Sequence, residues 1–275
     1  MAPVAGPGRC AVLGSPIEHS LSPFLHRAAY VALGLGWEYD AQRVDEAGLP
    51  DFLTGLDATW RGLSLTMPLK RAVLPLLDDR SETVRRAGGA NTVVLRNGRR
   101  SGHNTDVPGL SAALRERFEG QVSHAVVLGG GATAASALLG LADLGCRAVT
   151  LVVRDEARAA ETVAAAARHP DRPAVDVRTT TDGLRTAEVL VSTIPAAAQS
   201  AELLGLVASV DVVFDVVYDP WPTPLASEAL GRARVLVSGL DLLVHQAVRQ
   251  VELMTGSPGP LGIMREAGLR ALGSN

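Results

Sequence analysis

Residues 124–145, HAVVLGGGATAASALLGLADLG, decide the fold of this chain. A short apolar run leads into three glycines and then into an Ala- and Leu-rich segment, a pattern that predicts a strand, a tight turn and a helix. Gly129, Gly131 and Ala134 fit G-x-G-x-x-A at that junction, where the backbone can approach a pyrophosphate and the helix N-terminus attracts it. The alternative is a glycine turn without a ligand. We predict a dinucleotide-binding turn made of Gly129, Gly130, Gly131, Ala132, Thr133 and Ala134.

The end of the next predicted strand, AVTLVVR, bears on the choice of dinucleotide. An acidic residue there binds the ribose hydroxyls of NAD, whereas an arginine favours the 2′-phosphate of NADP. This strand ends at Arg154, and Arg158 follows one helical turn later. Asp155 lies between them and either caps the next helix or opposes a phosphate. We therefore expect NADP as the cofactor, with NAD as the alternative.

Strands and helices alternate along the whole chain. The second half contains the buried runs EVLVSTIP, DVVFDVVY and RVLVSGL, which indicate a parallel sheet covered by helices on both faces. The first half contains the strands RCAVLG, WEYDAQRV and WRGLSLT and a hairpin that turns at Asn97-Gly98. Its first helix is predicted to have Ser22 as N-cap and Pro23 as first residue. The fold class is α/β, with two domains.

Composition excludes several classes of protein. Of the 275 residues, 47% are hydrophobic and 20% are charged, which is typical of a packed globular chain. The net charge of −3 gives no reason to expect nucleic acid or a membrane surface as partner. Cys10 and Cys146 make neither a disulfide framework nor a metal-ligand pattern, so we expect no metal. No signal peptide or membrane-spanning stretch is visible, and we expect a cytoplasmic protein.

Lys70 is the only lysine, so the other 25 of the 26 basic side chains are arginines. Chance survival under codon bias is the simple explanation. The alternative is that Lys70 performs chemistry that arginine cannot, because a guanidinium stays protonated whereas an amine can release and take up a proton. An alcohol that is oxidised by hydride loss must also lose its O–H proton, and an amine can act as that base.

Small polar residues follow several apolar elements of the first half. In an open α/β sheet, such element ends converge on the ligand crevice. Each residue also has a structural explanation, for example Ser22 as a helix cap, Asn91 in a turn or Asp106 in an ion pair. Together they suit a ligand rich in hydroxyl groups, and Lys70 with Asp106 is the predicted catalytic pair. The set comprises Ser20, Ser22, Ser64, Thr66, Lys70, Asn91, Asn104, Thr105 and Asp106.

Eight ordered motifs together resemble the shikimate dehydrogenase family. They are VLGSPIEHSLSPFLH, GLSLTMPLK, GGANTVV, GHNTDVPGL, LGGGATA, STIP, DVVYDPWPTPL and SGLDLLVHQAV. The resemblance implies reduction of 3-dehydroshikimate to shikimate with NADPH, in the route to aromatic amino acids. It also implies a substrate-binding domain over residues 1–106, completed by the C-terminal helices of 240–275. A Rossmann-like doubly wound NADP-binding domain is implied over residues 107–239.

The resemblance implies roles for the matched residues. Lys70 and Asp106 match catalytic residues. Ser20 and Ser22 match a serine pair that binds the substrate carboxylate. The other substrate contacts implied are Ser64, Thr66, Asn91, Tyr218 and Gln246. Further cofactor contacts implied are Thr193, Ile194 and Gly239.

Three positions depart from the family pattern. Ser64 replaces an asparagine that many members have, and its shorter side chain needs a water or a shift to make the same contact. Ala135 stands where an arginine often follows the glycine turn. The usual Asn-Arg-Thr phosphate clamp reads Val153-Arg154-Asp155. The last two departures count against NADP as the cofactor more than they count against the predicted class of reaction.

Several alternatives stay open at this point. A relative acting on quinate or an aminoshikimate, with NADP or NAD, fits the same motifs. A non-catalytic dinucleotide-binding sensor would be expected to lack Lys70 or Asp106, and both are present. Another Rossmann enzyme, such as a folate-type dehydrogenase, leaves HSLSP and VYDPWPTP unexplained. We expect a small-molecule substrate, and the protein to be a monomer or a homodimer.

Overall fold

The computed structural model describes residues 6–184 and 186–273, without the side chain of Arg158. The chain forms two compact α/β units, and the predicted fold class is confirmed. Unit 1 contains the chain up to Arg85, Gly89–Thr105, and the chain from Leu243 onward. Unit 2 contains Arg86–Gly88 and Asp106–Leu242.

Unit 1 is built on a mixed six-stranded sheet with the order β2-β1-β3-β5-β6-β4. The strands are β1 (Arg9–Gly14), β2 (Glu38–Arg43), β3 (Trp60–Leu65), β4 (Asp79–Arg80), β5 (Thr92–Arg96) and β6 (Arg99–His103). Strand β1 runs parallel to β2 and β3, whereas β5 is antiparallel to β3 and β6. The hairpin between β5 and β6 turns at Asn97 (φ 52°) and Gly98 (φ 72°), as predicted.

Between residues 6 and 105, the structure describes the helices α1 (Ser22–Ala32), α2 (Leu49–Thr54), α3 (Leu69–Ala72) and α4 (Glu82–Ala87). The predicted cap of α1 was wrong by one residue. Leu21 is the N-cap, Ser22 is already the first helical residue, and no side chain caps the helix. The reason is that Leu21 has helical backbone angles (φ −82°, ψ −7°), so its carbonyl oxygen starts the helical hydrogen bonding. The Ser22 hydroxyl is therefore not used as a cap.

Unit 2 is a parallel six-stranded sheet with the order β12-β11-β10-β7-β8-β9. Its strands are β7 (His124–Leu128), β8 (Ala148–Val152), β9 (Ala174–Arg178), β10 (Val189–Ser192), β11 (Val212–Asp215) and β12 (Val235–Val237). Its helices are α5 (Asp106–Arg117), α6 (Ala132–Asp143), α7 (Ala160–Arg168), α8 (Ala201–Gly205) and α9 (Pro224–Gly231). This is the doubly wound Rossmann-like order, with its switch point between β7 and β10.

The core of unit 2 explains why the sequences of its central strands are continuous apolar runs. Along β7, Ala125 and Val127 pack into one buried cluster, whereas Val126 and Leu128 pack into another. The first cluster includes residues of α5, α6 and α7, and the second includes residues of α9. Alternate side chains thus meet helices on opposite faces of the sheet.

The last two helices of the described residues are α10 (Gly239–Thr255) and α11 (Leu261–Gly273). Helix α10 stops before Gly256, whose φ of 80° suits glycine. Within unit 1, α11 packs against α1, burying Met264 and Ala267. Of the residues that the structure describes, none belongs to a helix long and apolar enough to cross a bilayer.

Candidate functional site

The glycine turn lies at the switch point of the unit 2 sheet, between β7 and α6. Gly129 has a φ of 106°, and a Cβ there would lie 2.5 Å from Thr193 Oγ1. Gly131 is different, because a Cβ there would meet no atom within 4 Å. No side chain caps α6, which begins directly after Gly131. The turn therefore combines one glycine that its own fold requires with one that faces open space beside a helix N-terminus.

The loop after β10 closes against this turn. Thr193 donates from its backbone N–H (3.0 Å) and its hydroxyl (2.7 Å) to the carbonyl oxygen of Leu128. The side chain of Ile194 lies beside Gly129. Thr193 and Ile194 are thus brought together with the glycine turn, as expected for the carboxyl ends of adjacent parallel strands.

An exposed arginine lies just after β8. The strand ends at Val152, two residues before Arg154, which is exposed and forms no ion pair with any residue described here. The Asp155 carboxylate accepts from the backbone N–H of Ala157 (3.0 Å), so of its two predicted roles the cap is confirmed. The side chain of Arg158 lies outside the described part of the chain. Ala135, which replaces the family's arginine, is fully buried in the core of unit 2.

In unit 1, a buried network joins three of the polar residues found in the sequence. The Asn91 side-chain oxygen accepts from the Thr105 backbone N–H (2.8 Å), and its amide nitrogen donates to the Thr105 hydroxyl (2.9 Å). The same nitrogen donates to the Gln246 side-chain oxygen (3.3 Å), while Gln246 Nε2 donates to the Leu243 carbonyl (2.8 Å). Asn91, Thr105 and Gln246 are therefore brought together, although they lie 155 positions apart at most.

The network continues to Ser64 through residues that sequence reasoning missed. Ser64 is buried, and its hydroxyl donates to Gln250 Oε1 (2.9 Å) and accepts from the Tyr39 hydroxyl (2.6 Å). Gln250 Nε2 in turn donates to Thr92 Oγ1 (3.0 Å), whose hydroxyl donates to Asn91 Oδ1 (2.9 Å). The one available signal was the spacing of Gln246 and Gln250, which places both on one face of a helix.

The serine pair lies at the start of α1. Ser22 is buried, and its backbone N–H donates to the Ser20 hydroxyl at 3.4 Å. The Ser22 carbonyl accepts from Nδ1 of His26 (2.9 Å), so that nitrogen carries the proton. The His26 ring stacks on Tyr39 with centroids 3.9 Å apart. Burial lowers the pKa of His26 to about 4, which keeps this ring neutral.

Thr66 and Lys70 lie in the segment after β3. Thr66 is half-buried, and its backbone N–H donates to Leu13 (2.9 Å). Lys70 is half-buried in the first turn of α3. Its carbonyl oxygen accepts from the N–H of Ala90 (2.8 Å), the residue before Asn91. The lysine is thereby fixed to the backbone segment that carries the amide network.

Three further candidates belong to unit 2. Asp106 is the first residue of α5 and is 7% exposed. The fold itself requires glycine at residue 239, because a Cβ there would lie 2.4 Å from the Val216 carbonyl oxygen. Tyr218 is half-buried in the loop after β11. The residue before this loop, Asp215, was missed by sequence reasoning.

Asp215 holds the loop of Tyr218 in place. Its carboxylate accepts from Thr223 Oγ1 (2.6 Å), Gln199 Nε2 (2.8 Å) and the Val217 N–H (3.2 Å). Burial raises the pKa of Asp215, while these donors act in the opposite direction. Among the described residues, no group of three or more His, Cys, Asp and Glu side chains could hold a metal ion.

Comparisons with known proteins agree with this architecture. The model of the shikimate dehydrogenase substrate binding domain matches residues 12–93, and that of the shikimate 5′-dehydrogenase C-terminal domain matches residues 239–267. Shikimate dehydrogenase (NADP(+)) of Symbiobacterium thermophilum is 36% identical over 281 residues, covering 97% of this chain and 96% of that protein.

Two solved structures are similar over nearly the whole chain. Mycobacterium tuberculosis shikimate dehydrogenase is 42% identical with a TM-score of 0.86, over 98% of this chain and 99% of that one. The Thermus thermophilus enzyme, in complex with NADP(H) and shikimate, is 31% identical with a TM-score of 0.85, over 96% and 99%. The resemblance found in the motifs is confirmed, and the chain belongs to the shikimate dehydrogenase family.

Proposed function

We propose that this protein catalyses the reversible, NADP-dependent reduction of 3-dehydroshikimate to shikimate, in the route to aromatic amino acids. The observation that carries the proposal is the buried network of uncharged hydroxyl and amide side chains in unit 1. Such groups suit a small ligand rich in hydroxyls, because each can pair with an O–H group without a charge to neutralise. The relatives named for this reaction, and the Thermus structure with shikimate and NADP(H), support it.

The residues of the unit 2 switch point fit the cofactor. Gly131 leaves open space in front of the uncapped N-terminus of α6, where a pyrophosphate finds backbone N–H donors. The turn from Gly129 to Ala134, together with Thr193 and Ile194, would hold the dinucleotide, and Gly239 would adjoin its nicotinamide end. The exposed Arg154 would pair with the 2′-phosphate, which favours NADP over NAD, and Arg158 is proposed as a second cation there. When bound, the cofactor supplies the hydride for the substrate carbonyl carbon.

The substrate roles follow the polar residues. Ser20 and Ser22 bind the carboxylate, with Ser22 held in place by the His26 ring. The ring hydroxyls are bound by the uncharged side chains, and Tyr218 lines the site. The hydroxyl-binding residues are Ser64, Thr66, Asn91 and Gln246.

Lys70 handles the proton of the reaction. As hydride adds to the carbonyl carbon, the π electrons of the C=O bond move to the oxygen, which takes a proton from the Lys70 ammonium group. In the reverse direction the Lys70 amine accepts the hydroxyl proton. The Asp106 carboxylate accepts a hydrogen bond from a substrate hydroxyl and so orients the ring. A guanidinium in place of the ammonium would keep the charge and lose the proton transfer.

The same proposal covers the organisation of the protein. Residues 1–106 with 240–275 act as the substrate domain and residues 107–239 as the NADP domain. We place the protein in the cytoplasm, where the buried free thiols of Cys10 and Cys146 would stay reduced. It acts as a monomer or homodimer on a small-molecule substrate.

Initial rates of cofactor reduction test the proposal. Shikimate and quinate are each combined with NADP and NAD, and shikimate with NADP should give the highest kcat/KM. Lys70→Ala should lower kcat by about 10³-fold with little change in shikimate affinity, since general acid–base catalysis contributes on this order.

Lys70→Arg is the matched control for charge. It should be nearly as slow as Lys70→Ala if proton transfer is the role, and nearly as fast as the unchanged enzyme if charge alone matters. Preference for quinate or NAD would overturn the assignment of substrate or cofactor.

A further inference from the structure

Gln250 lies one helical turn beyond Gln246 on α10, and its side chain is only 1% exposed. Its amide connects two neighbouring strands of the unit 1 sheet. Oε1 accepts from Ser64 on β3 (2.9 Å), and Nε2 donates to Thr92 Oγ1 on β5 (3.0 Å). Nε2 also donates to the Asn91 carbonyl oxygen (3.3 Å). A buried side chain with bonds to both strands has its orientation set by its partners.

The Asn91 carbonyl decides which way the Gln250 amide points. A carbonyl oxygen can only accept, so the amide group that faces it must be Nε2. Oε1 then faces Ser64, and this oxygen can also only accept. The single proton of the Ser64 hydroxyl is therefore donated to Gln250.

Tyr39 uses a second position on Ser64. The Tyr39 hydroxyl lies 2.6 Å from Ser64 Oγ and donates to it, because the Ser64 proton is already committed. A serine hydroxyl has one proton and two lone pairs, so one lone pair is left. Toward any further group, Ser64 can only accept a hydrogen bond.

We infer that Gln250 is a positioning residue that makes Ser64 an acceptor-only contact and so selects a hydroxyl at that point of the substrate. The inference rests on the proposed function, in which Ser64 faces the substrate ring. The asparagine common at this position in the family has both a donor and an acceptor, whereas the Ser64–Gln250 pair leaves only the acceptor.

The reacting oxygen alternates between a carbonyl and a hydroxyl. If the acceptor-only Ser64 oxygen faced the carbonyl oxygen, two lone pairs would point at each other and no hydrogen bond could form. Ser64 is therefore assigned to one of the ring hydroxyls that does not react.

Titration calorimetry on the full-length protein tests this polarity. The probes are shikimate and two analogues in which each non-reacting ring hydroxyl is replaced by fluorine, which cannot donate a hydrogen bond. One analogue should bind the unchanged protein about 30-fold more weakly than shikimate, the loss expected for one buried, unpaired acceptor. In Gln250→Met the Ser64 proton is free to turn toward fluorine. The analogue should then bind this variant no more than about threefold more weakly than shikimate does.

Ser64→Ala should remove the same penalty, and this variant carries the test if Gln250→Met fails to fold. Arg249→Ala changes an exposed neighbour on the same helix and should keep the full penalty. Equal penalties in all four proteins, or no penalty in the unchanged one, would overturn the inference. If shikimate binds but is not oxidised with NADP, the proposed reaction is wrong. The weaker binding of the fluorinated analogue relative to shikimate still tests whether Ser64 acts as an acceptor. Absence of shikimate binding would refute both.

Discussion

Gly129 and Gly131 of the glycine turn should respond differently to substitution by alanine: the first should lose stability and the second affinity for NADP. Alanine at residue 129 must adopt a φ of 106°, which costs about 1–3 kcal/mol for a residue with a side chain. Its methyl group would also lie 2.5 Å from Thr193 Oγ1. Thr193 must then move and lose its 2.7 Å bond to the Leu128 carbonyl, which is worth about 1 kcal/mol. Gly129→Ala should therefore lower the free energy of unfolding by about 2–4 kcal/mol.

Gly131→Ala is the matched control. Residue 131 has a φ of −87° and open space around its Cβ position, so alanine fits the fold. Alanine is slightly less favourable than glycine at an N-cap, but it also lowers the conformational entropy of the unfolded chain. The two effects nearly cancel, so the free energy of unfolding should stay within about 0.5 kcal/mol of that of the unchanged protein. The added methyl group does occupy the approach to the N-terminus of α6. Affinity for NADP should therefore fall about tenfold or more, which corresponds to about 1.4 kcal/mol.

Urea unfolding followed by circular dichroism measures the first quantity, and calorimetric titration with NADP measures the second. A lowered midpoint for Gly129→Ala, together with an unchanged midpoint and weakened NADP binding for Gly131→Ala, is the expected pattern. If Gly131→Ala binds NADP as tightly as the unchanged protein, the open space at this turn does not receive the cofactor. If Gly129→Ala is as stable as the unchanged protein, the role given to Thr193 is wrong.

Two further predictions concern charge. Arg154→Ala should weaken NADP binding about tenfold or more while NAD binding changes less than about twofold, since the lost bond is to the 2′-phosphate alone; equal weakening of both cofactors contradicts this. The pKa of His26 is about 4 in the folded protein and about 6.5 when unfolded, so the unfolded chain takes up the proton first as pH falls. This group's contribution is fully present above pH 6.5 and is lost toward pH 4, by about 2 kcal/mol between pH 7 and pH 5. In His26→Phe, the loss of unfolding free energy between pH 7 and pH 5 should be smaller by that amount, and an unchanged difference would show that His26 does not titrate this way.

Features encoded by adjacent residues could be predicted from the sequence. The glycine turn between β7 and α6 and the Asn97-Gly98 hairpin depend on backbone angles that few residues adopt, so composition identifies them. The buried strands of unit 2 were identified because their runs are apolar on both faces. The N-cap of α1 lies one residue before the predicted one because Leu21 has helical backbone angles. The residue types at this position do not indicate those angles. Strand β9 alternates valine with charge at the sheet edge and gave no comparable signal.

The sequence motifs did not distinguish a glycine required by the fold from one that faces a ligand. The family resemblance predicts Gly239 beside the nicotinamide, and the fold gives a second reason for glycine there, because a Cβ would lie 2.4 Å from the Val216 carbonyl oxygen. The Tyr39 and Gln250 contacts depend on residues 25 and 186 positions away from Ser64. Contacts at such separations arise from the register of β3 against its neighbours and from the placement of α10. Single-sequence patterns carry no information on either.

The amide network also explains how uncharged side chains can specify a ligand. A carboxylate always accepts and a guanidinium always donates, whereas a hydroxyl or an amide can present either polarity. Such a group is selective only when something prevents it from turning. In unit 1, Asn91, Gln246 and Gln250 are each oriented by a backbone N–H or carbonyl group, whose polarity cannot change. The backbone thus sets the direction of every hydrogen bond that these side chains offer, and a ligand with the wrong polarity at one point leaves a buried group unpaired, at a cost of about 1–3 kcal/mol.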